Sequence, residues 1–235
     1  MNPLKESIRF YARHIEALLL LSGVILLPFL LVHNVTINYV SFLAALAGAP
    51  VVSSFYNLFL MLVFLTVVQI VFVQYVKSQL EGEERPLRHA FRTFFENGFS
   101  VFLFGIVYAL AVCLGMVLFV VPGVVLLILF CLTPFLVVLK KRSPWKCMRS
   151  SFELAKRHFV PLLGLILLAS AVQWLISMAG FASVIYITTS FGAVWFTQLL
   201  LNVIVFPLIT VIFTMYTHQW ISEPSEVKGL EPVEG

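Results

Sequence analysis

Three side-chain amides, Gln173, Gln198 and Asn202, lie within apolar runs toward the C-terminal end of the chain. On facing helices such amides do one of two things. They tie the helices together, at about 0.6 to 2 kcal/mol per hydrogen bond, or they line a path for a small uncharged or amphipathic substrate. A second set is cationic: Lys140, Lys141, Arg142, Lys146, Arg149, Lys156 and Arg157 crowd into residues 140–158 beside a single carboxylate, Glu153. Their chemistry is attraction to phosphate. Glu153 and His158 would offer an acid and a base, but five residues apart on a helix they diverge by about 140° and do not face one point. H-E-x-x-H, P-loop and G-x-S-x-G patterns are absent, so no catalytic, cofactor-binding or metal-ligating set is legible.

Aspartate is absent from the chain. This counts against phosphorylated-aspartate ATPases, CDP-alcohol phosphotransferases and intramembrane aspartyl proteases, which need it as nucleophile or ligand. Cys113, Cys131 and Cys147 form no C-x-x-C and no Cys/His pair, so they read as buried, inert thiols. The expectation is a protein that is not an enzyme and carries no cofactor or metal.

The element that positions the cations is an amphipathic helix over residues 143–159. Trp145, Met148, Phe152, Ala155 and Phe159 fall on one side at helical spacing, and Lys146, Arg149, Glu153, Lys156 and Arg157 on the other. Ser143 stands at the N-cap and Pro144 at the first helical position, where its missing N–H is harmless. An apolar side toward lipid and a basic side toward headgroups make Lys140, Lys141, Arg142, Trp145, Lys146, Arg149, Phe152, Lys156 and Arg157 the expected contact set for membrane or partner. The expected ligand is anionic lipid of the cytoplasmic leaflet, with a membrane protein as a further partner. A membrane surface lies adjacent, so the basic helix needs no nucleic acid to account for it.

Composition makes the chain an integral membrane protein: 61% of its 235 residues are hydrophobic and 11% charged, with a mean hydropathy of +1.03. Uncharged runs place spans at about residues 17–32, 51–76, 99–121, 124–139, 160–182 and 194–217. On these limits no span holds a Glu, Lys or Arg, which speaks against ion-coupled transport and voltage sensing. Residues 33–50 and 183–193 read as outer loops, and Pro122-Gly123 as a tight turn between the third and fourth spans. Pro134 should kink the fourth. Residues 1–221 then form one transmembrane domain, followed by a disordered acidic tail over 222–235.

Two further stretches share the opening of the basic helix: Pro3-Leu4-Lys5 and Pro86-Leu87-Arg88 beside Pro144-Trp145-Lys146. Each leads into an amphipathic segment and then a pair of spans. The fold class expected is therefore all-α, with six transmembrane helices as three hairpins, each preceded by a cytoplasmic amphipathic helix. Under this layout all 15 Lys and Arg fall on one side, which the positive-inside rule makes cytoplasmic, with both termini inside.

Pro122-Gly123 at the hairpin, Pro134 farther along, and Ser151-Phe152-Glu153-Leu154 followed by basic residues and a new apolar run resemble a bacterial six-span family. That family includes uncharacterised inner-membrane proteins and the membrane domain that precedes the catalytic domain of some glycerophosphodiester phosphodiesterases. Two departures stand out: an uncharged fourth span, and Lys140-Lys141-Arg142 where the family carries an acidic residue. The phosphodiesterase domain is missing, so its activity does not carry over. The resemblance implies a multi-pass protein of the bacterial cytoplasmic membrane with an assembly, lipid-associated or transport-accessory role.

Overall fold

The computed structural model describes residues 3–223. Its elements are α1 (Pro3–Arg13), α2 (Ile15–Leu21), a π-helical turn (Ser22–Leu26), α3 (Leu27–Leu46), α4 (Pro50–Leu80), α5 (Pro86–Leu118), α6 (Val120–Phe130), α7 (Thr133–Lys140), α8 (Pro144–Arg157), α9 (Phe159–Ile187) and α10 (Phe191–Ser222). Six stretches are long and apolar enough to cross a membrane: Ile15–Leu46, Pro50–Leu80, Pro86–Leu118, Val120–Lys140, Phe159–Ile187 and Phe191–Ser222. The chain is thus an all-helical, multi-pass membrane protein.

Proline sets the irregular points. Pro28 has no N–H to return to Val24, and the chain passes this position through the π-helical turn, whose wider ladder bonds Leu27 N–H to Ser22 O. Pro134 stands just after the break at Cys131 and Leu132 that divides the fourth span into α6 and α7, as its lost donor requires. Pro207 lies inside α10.

Three sequence expectations are corrected. Residues 33–46 are helix rather than loop, and α3 ends only where Gly48 takes φ +66°. Likewise α9 continues to Ile187 and α10 starts at Phe191, which leaves residues 188–190 as the connection where 183–193 was expected. The turn between the third and fourth spans sits at Phe119, which is extended (φ −157°, ψ 139°), and Pro122 and Gly123 already belong to the first turns of α6. A proline there forfeits no helical bond. The expected acidic tail lies outside the described residues from 224 onward.

Helix α4 is the central post. Two thirds (67%) of its most apolar window is buried, against 11% for α9 at the periphery. It packs most extensively on α5 and also against α3, α7 and α10. Small residues permit the closest approaches. A Cβ on Gly105 would lie 3.3 Å from Thr66 Oγ1 and 3.6 Å from Val63 Cα, so the glycine lets α5 lie close on α4 at Thr66. Gly115 and Gly123 face each other across the α5–α6 turn, where a Cβ on Gly115 would stand 2.9 Å from Gly123 Cα. The spacing of small residues is spent on packing within the chain.

Gly123→Val should lower stability by roughly 1–3 kcal/mol, the usual cost of overpacking, because its Cβ would stand 2.7 Å from the Met116 backbone nitrogen. Gly180→Ala should be tolerated, since its nearest neighbour is the movable end of Leu201. Thermal unfolding of both variants in detergent measures the contrast, and equal losses would refute the backbone argument.

Candidate functional site

The basic helix α8 has three faces where its sequence pattern shows two. Pro144, Cys147, Ser151 and Ala155 are buried, and this narrow face docks the helix on α5, α6 and α7. The large apolar residues, expected to face lipid, lie one step around: Trp145 is 51% exposed, Phe152 41% and Met148 37%. They keep partial contact, with Trp145 edge-on to Phe104 at 6.0 Å and Phe152 at 6.4 Å from Phe130. Beyond them comes the charged face, where Lys146, Arg149, Lys156 and Arg157 are exposed and Arg149 Nε donates to Glu153 Oε1 at 3.2 Å. Around the helix the order is small and buried, large and half-exposed, then basic. Of the remaining cations, Lys140 is half-buried at the end of α7 and Lys141 and Arg142 are exposed.

The docking depends on donors reaching backbone carbonyls of the spans. Ser151 Oγ donates to Leu129 O at 2.8 Å, in the last turn of α6 next to the break before Pro134. Tyr11 Oη on α1 donates to Ile204 O at 2.9 Å, one turn before Pro207 in α10. Both amphipathic helices therefore fasten to a span close to one of its prolines. Lys77 was expected to end the second span at the surface. Instead it is 6% exposed, and its ammonium donates to Val138 O at 3.0 Å and Leu139 O at 3.1 Å. These are among the last carbonyls of α7, the end of a helix that favours a cation. Lys141, in the left-handed conformation at φ 49°, terminates α7 beside them. The charged group lies three residues before the end of α4, a helix long and apolar enough to span, and one residue beyond the expected limit at 76.

Two histidines mark the joints between surface helices and spans. His14 separates α1 from α2, and His158 separates α8 from α9, with similar dihedrals (φ −114°, ψ 21° and φ −109°, ψ 33°). His14 approaches Tyr75 Oη through Nδ1 at 3.4 Å, and His158 stacks on Trp220 with centroids 4.9 Å apart. Burial lowers the pKa of His14 and the neighbouring Arg13 adds to this. For His158 burial again lowers it, Glu223 opposes with a carboxylate 3.6 Å away, and Arg157 reinforces the drop. The segment after Pro86 has no such joint: it runs without a break into the third span as the single helix α5.

The three amides come together. Gln173 Nε2 on α9 donates to Asn202 Oδ1 on α10 at 2.9 Å, Asn202 Nδ2 donates to Gln198 O at 2.8 Å, and Gln198 Nε2 returns to Ser177 O at 2.8 Å. The result is a continuous clasp between α9 and α10. Sequence reasoning had no view of Ser151, Tyr11 or Lys77 as anchors. One signal was present, a serine seven residues before each joint histidine, Ser7 and Ser151, both fully buried; the Arg-His pairs at 13–14 and 157–158 do not distinguish the joints, because Arg88-His89 lies in the unbroken α5.

No protein-family model, curated protein or solved structure matches the chain.

Lys77→Met should destabilise by roughly 1–3 kcal/mol because it strips the donor from buried carbonyls. Lys77→Glu should be worse, since it sets a carboxylate against carbonyl oxygens; a Lys77→Met protein as stable as the parent in detergent melts would refute the tie. The two histidines give a pH dependence. Each is held below the ordinary imidazole value, so the fold favours the neutral ring, and the associated stability is full above about pH 6.5 and falls as pH drops below it. Melting measured between about pH 7.5 and about pH 5.5 should show this loss, and His14→Gln with His158→Gln should flatten it.

Proposed function

We propose that this chain is a non-enzymatic multi-pass protein of the bacterial cytoplasmic membrane, a lipid-associated or partner-binding scaffold that works from a cytoplasmic belt of amphipathic helices. The observation that carries the reading is the order of faces on α8. A helix docked by Cys147, Ser151 and Ala155 while Trp145, Met148 and Phe152 remain half-exposed next to Arg149 and Lys156 matches what a headgroup boundary requires. Acyl chains meet the aromatic edge and phosphates meet the cations. In this reading the three pairs of spans are hairpins, the charged ends face the cytoplasm, and both termini lie inside.

The amide clasp supports a structural role for Gln173, Gln198 and Asn202 over a substrate path, because each amide nitrogen already donates to another amide or to a backbone carbonyl. A permease reading would need those donors free. The resemblance of residues 118–159 to the six-span family agrees with a membrane role without catalysis of its own.

Nitroxide labels placed one at a time test the arrangement, using Met148→Cys and Lys146→Cys in a Cys113→Ala/Cys131→Ala/Cys147→Ala chain reconstituted into vesicles. Position 148 should respond to oxygen, which partitions into acyl chains, and position 146 to a water-soluble nickel complex. Adding anionic lipid to zwitterionic vesicles should slow the motion of the label at 146. Equal nickel accessibility at both positions would overturn the reading. An impermeant thiol reagent should modify position 146 in inverted membrane vesicles and spare it in intact cells; the reverse would overturn the orientation.

A further inference from the structure

A second basic surface lies apart from α8. Lys5, Arg9 and Arg13 follow one another at every fourth residue of α1 and form a single row, all three exposed. They make one wall of a groove of about 580 Å³ whose other lining residues include Phe10, His14, Gln79, Leu80 and Met215. Among the described residues the ion pairs are Arg92–Glu96, Arg149–Glu153, His89–Glu83 and His158–Glu223, so the row on α1 takes no carboxylate partner. Glu6 is the one carboxylate in the lining, against three cations.

Beside Glu6, His14 and Gln79 the rest of the lining is apolar. Phe10, Leu80 and Met215 contribute side chains from α1, α4 and α10, and a second hollow of about 450 Å³ shares Glu6, Leu80 and Met215 with the first. The groove also lies at a boundary. The first spanning stretch begins at Ile15, immediately after the row ends, and the second stops at Leu80. A cationic rim above an apolar floor, where spans meet the surface, fits an amphiphile whose anion sits outside and whose hydrocarbon starts inside. Guanidinium groups favour phosphate oxygens, which they meet with paired donors.

We infer that the groove between α1 and the ends of α4 and α10 binds the phosphate headgroup of an anionic membrane lipid, with Lys5, Arg9 and Arg13 on the phosphate and Phe10, Leu80 and Met215 against the glycerol and first methylenes. This site is separate from α8 and does not depend on the scaffold reading.

The full chain in an uncharged detergent, titrated with short-chain phosphatidylglycerol, short-chain phosphatidylcholine or inorganic phosphate and followed by native mass spectrometry, tests it. Phosphatidylglycerol should bind, and phosphatidylcholine and phosphate should bind at least about tenfold more weakly. Lys5→Gln/Arg9→Gln/Arg13→Gln should weaken phosphatidylglycerol on the order of a hundredfold, at about fivefold per charge. Arg85→Gln/Arg88→Gln, exposed cations that do not line the groove, should leave it within about twofold, and Lys146→Gln/Arg149→Gln/Lys156→Gln separates binding on α8 from binding in the groove. A single Arg9→Glu, exposed and away from the buried Ser7, serves if the triple variant does not fold, with a loss of at least about tenfold. Unchanged binding in the α1 variants overturns the site, and equal binding of phosphatidylcholine overturns the requirement for an anion. Inorganic phosphate as tight as phosphatidylglycerol overturns the lipid assignment in favour of a free-phosphate site. Loss only in the α8 triple variant would place the lipid on α8 and refute the groove while sparing the scaffold reading.

Discussion

A backbone carbonyl that leaves its helical ladder inside a membrane bundle has no water to turn to, and this requirement shapes the molecule more than any single apolar contact. Carbonyls at the break before Pro134, in α10 near Pro207 and at the end of α7 accept side-chain donors. Donors arrive from elsewhere in the sequence: Ser151 from α8, Tyr11 from α1 and Lys77 from α4. Each bond joins elements distant in the chain, and together they fix how the surface helices sit and how the fourth span meets the second. Lys77 carries the sharpest form of the requirement. Its charge is costly to bury, and the C-terminal carbonyls of α7 offset that cost only if α4 and α7 stay in register.

The same accounting explains what could be read from the amino acids in advance. Six apolar stretches were visible because lipid selects residue type directly. Their ends were not. Residues 33–46 look like a loop by hydropathy, yet Asn34, Thr36 and Asn38 turn their side chains onto Leu30 O, Val32 O and Asn34 O of their own helix, which lets polar residues prolong it. Ser183 does the same toward Ala179 O in the stretch expected to be the second outer loop. For α8 the helix and its start at Ser143 and Pro144 were legible, but Ser143 makes no side-chain cap bond and the docking face was not foreseen. Amphipathic patterns point to large apolar residues, whereas close approach to neighbouring helices selects Cys147, Ser151 and Ala155. The amides were legible as a group and their mutual bonding was not, since spacing alone does not say whether an amide faces a partner or a path.

The three similar openings in the sequence lead to two architectures. In the first and third, an Arg-His pair interrupts the helix and the surface segment turns away from its span, with the imidazole packed against Tyr75 or Trp220. Burial keeps those rings neutral by preference, so the joint carries a modest sensitivity to acid in addition to its geometry. The two jointed helices carry buried serines placed alike relative to their histidines. Both are small enough for close packing, but only Ser151 Oγ reaches another helix, at Leu129 O, whereas Ser7 Oγ donates back to Pro3 O of its own helix.

The second copy has no joint, and mechanics follow from that. As one helix of 33 residues, α5 is a stiff rod about 50 Å long, against a hydrocarbon layer of about 30 Å. Near its middle Gly105 meets Thr66 of α4, and the contact continues through Phe104, Tyr108, Ala109 and Val112 against Leu62 and Val63. Because α5 packs on α4 more extensively than any other pair of helices, a displacement of one is shared by the other, whereas α1 and α8 meet their spans through breaks at His14 and His158.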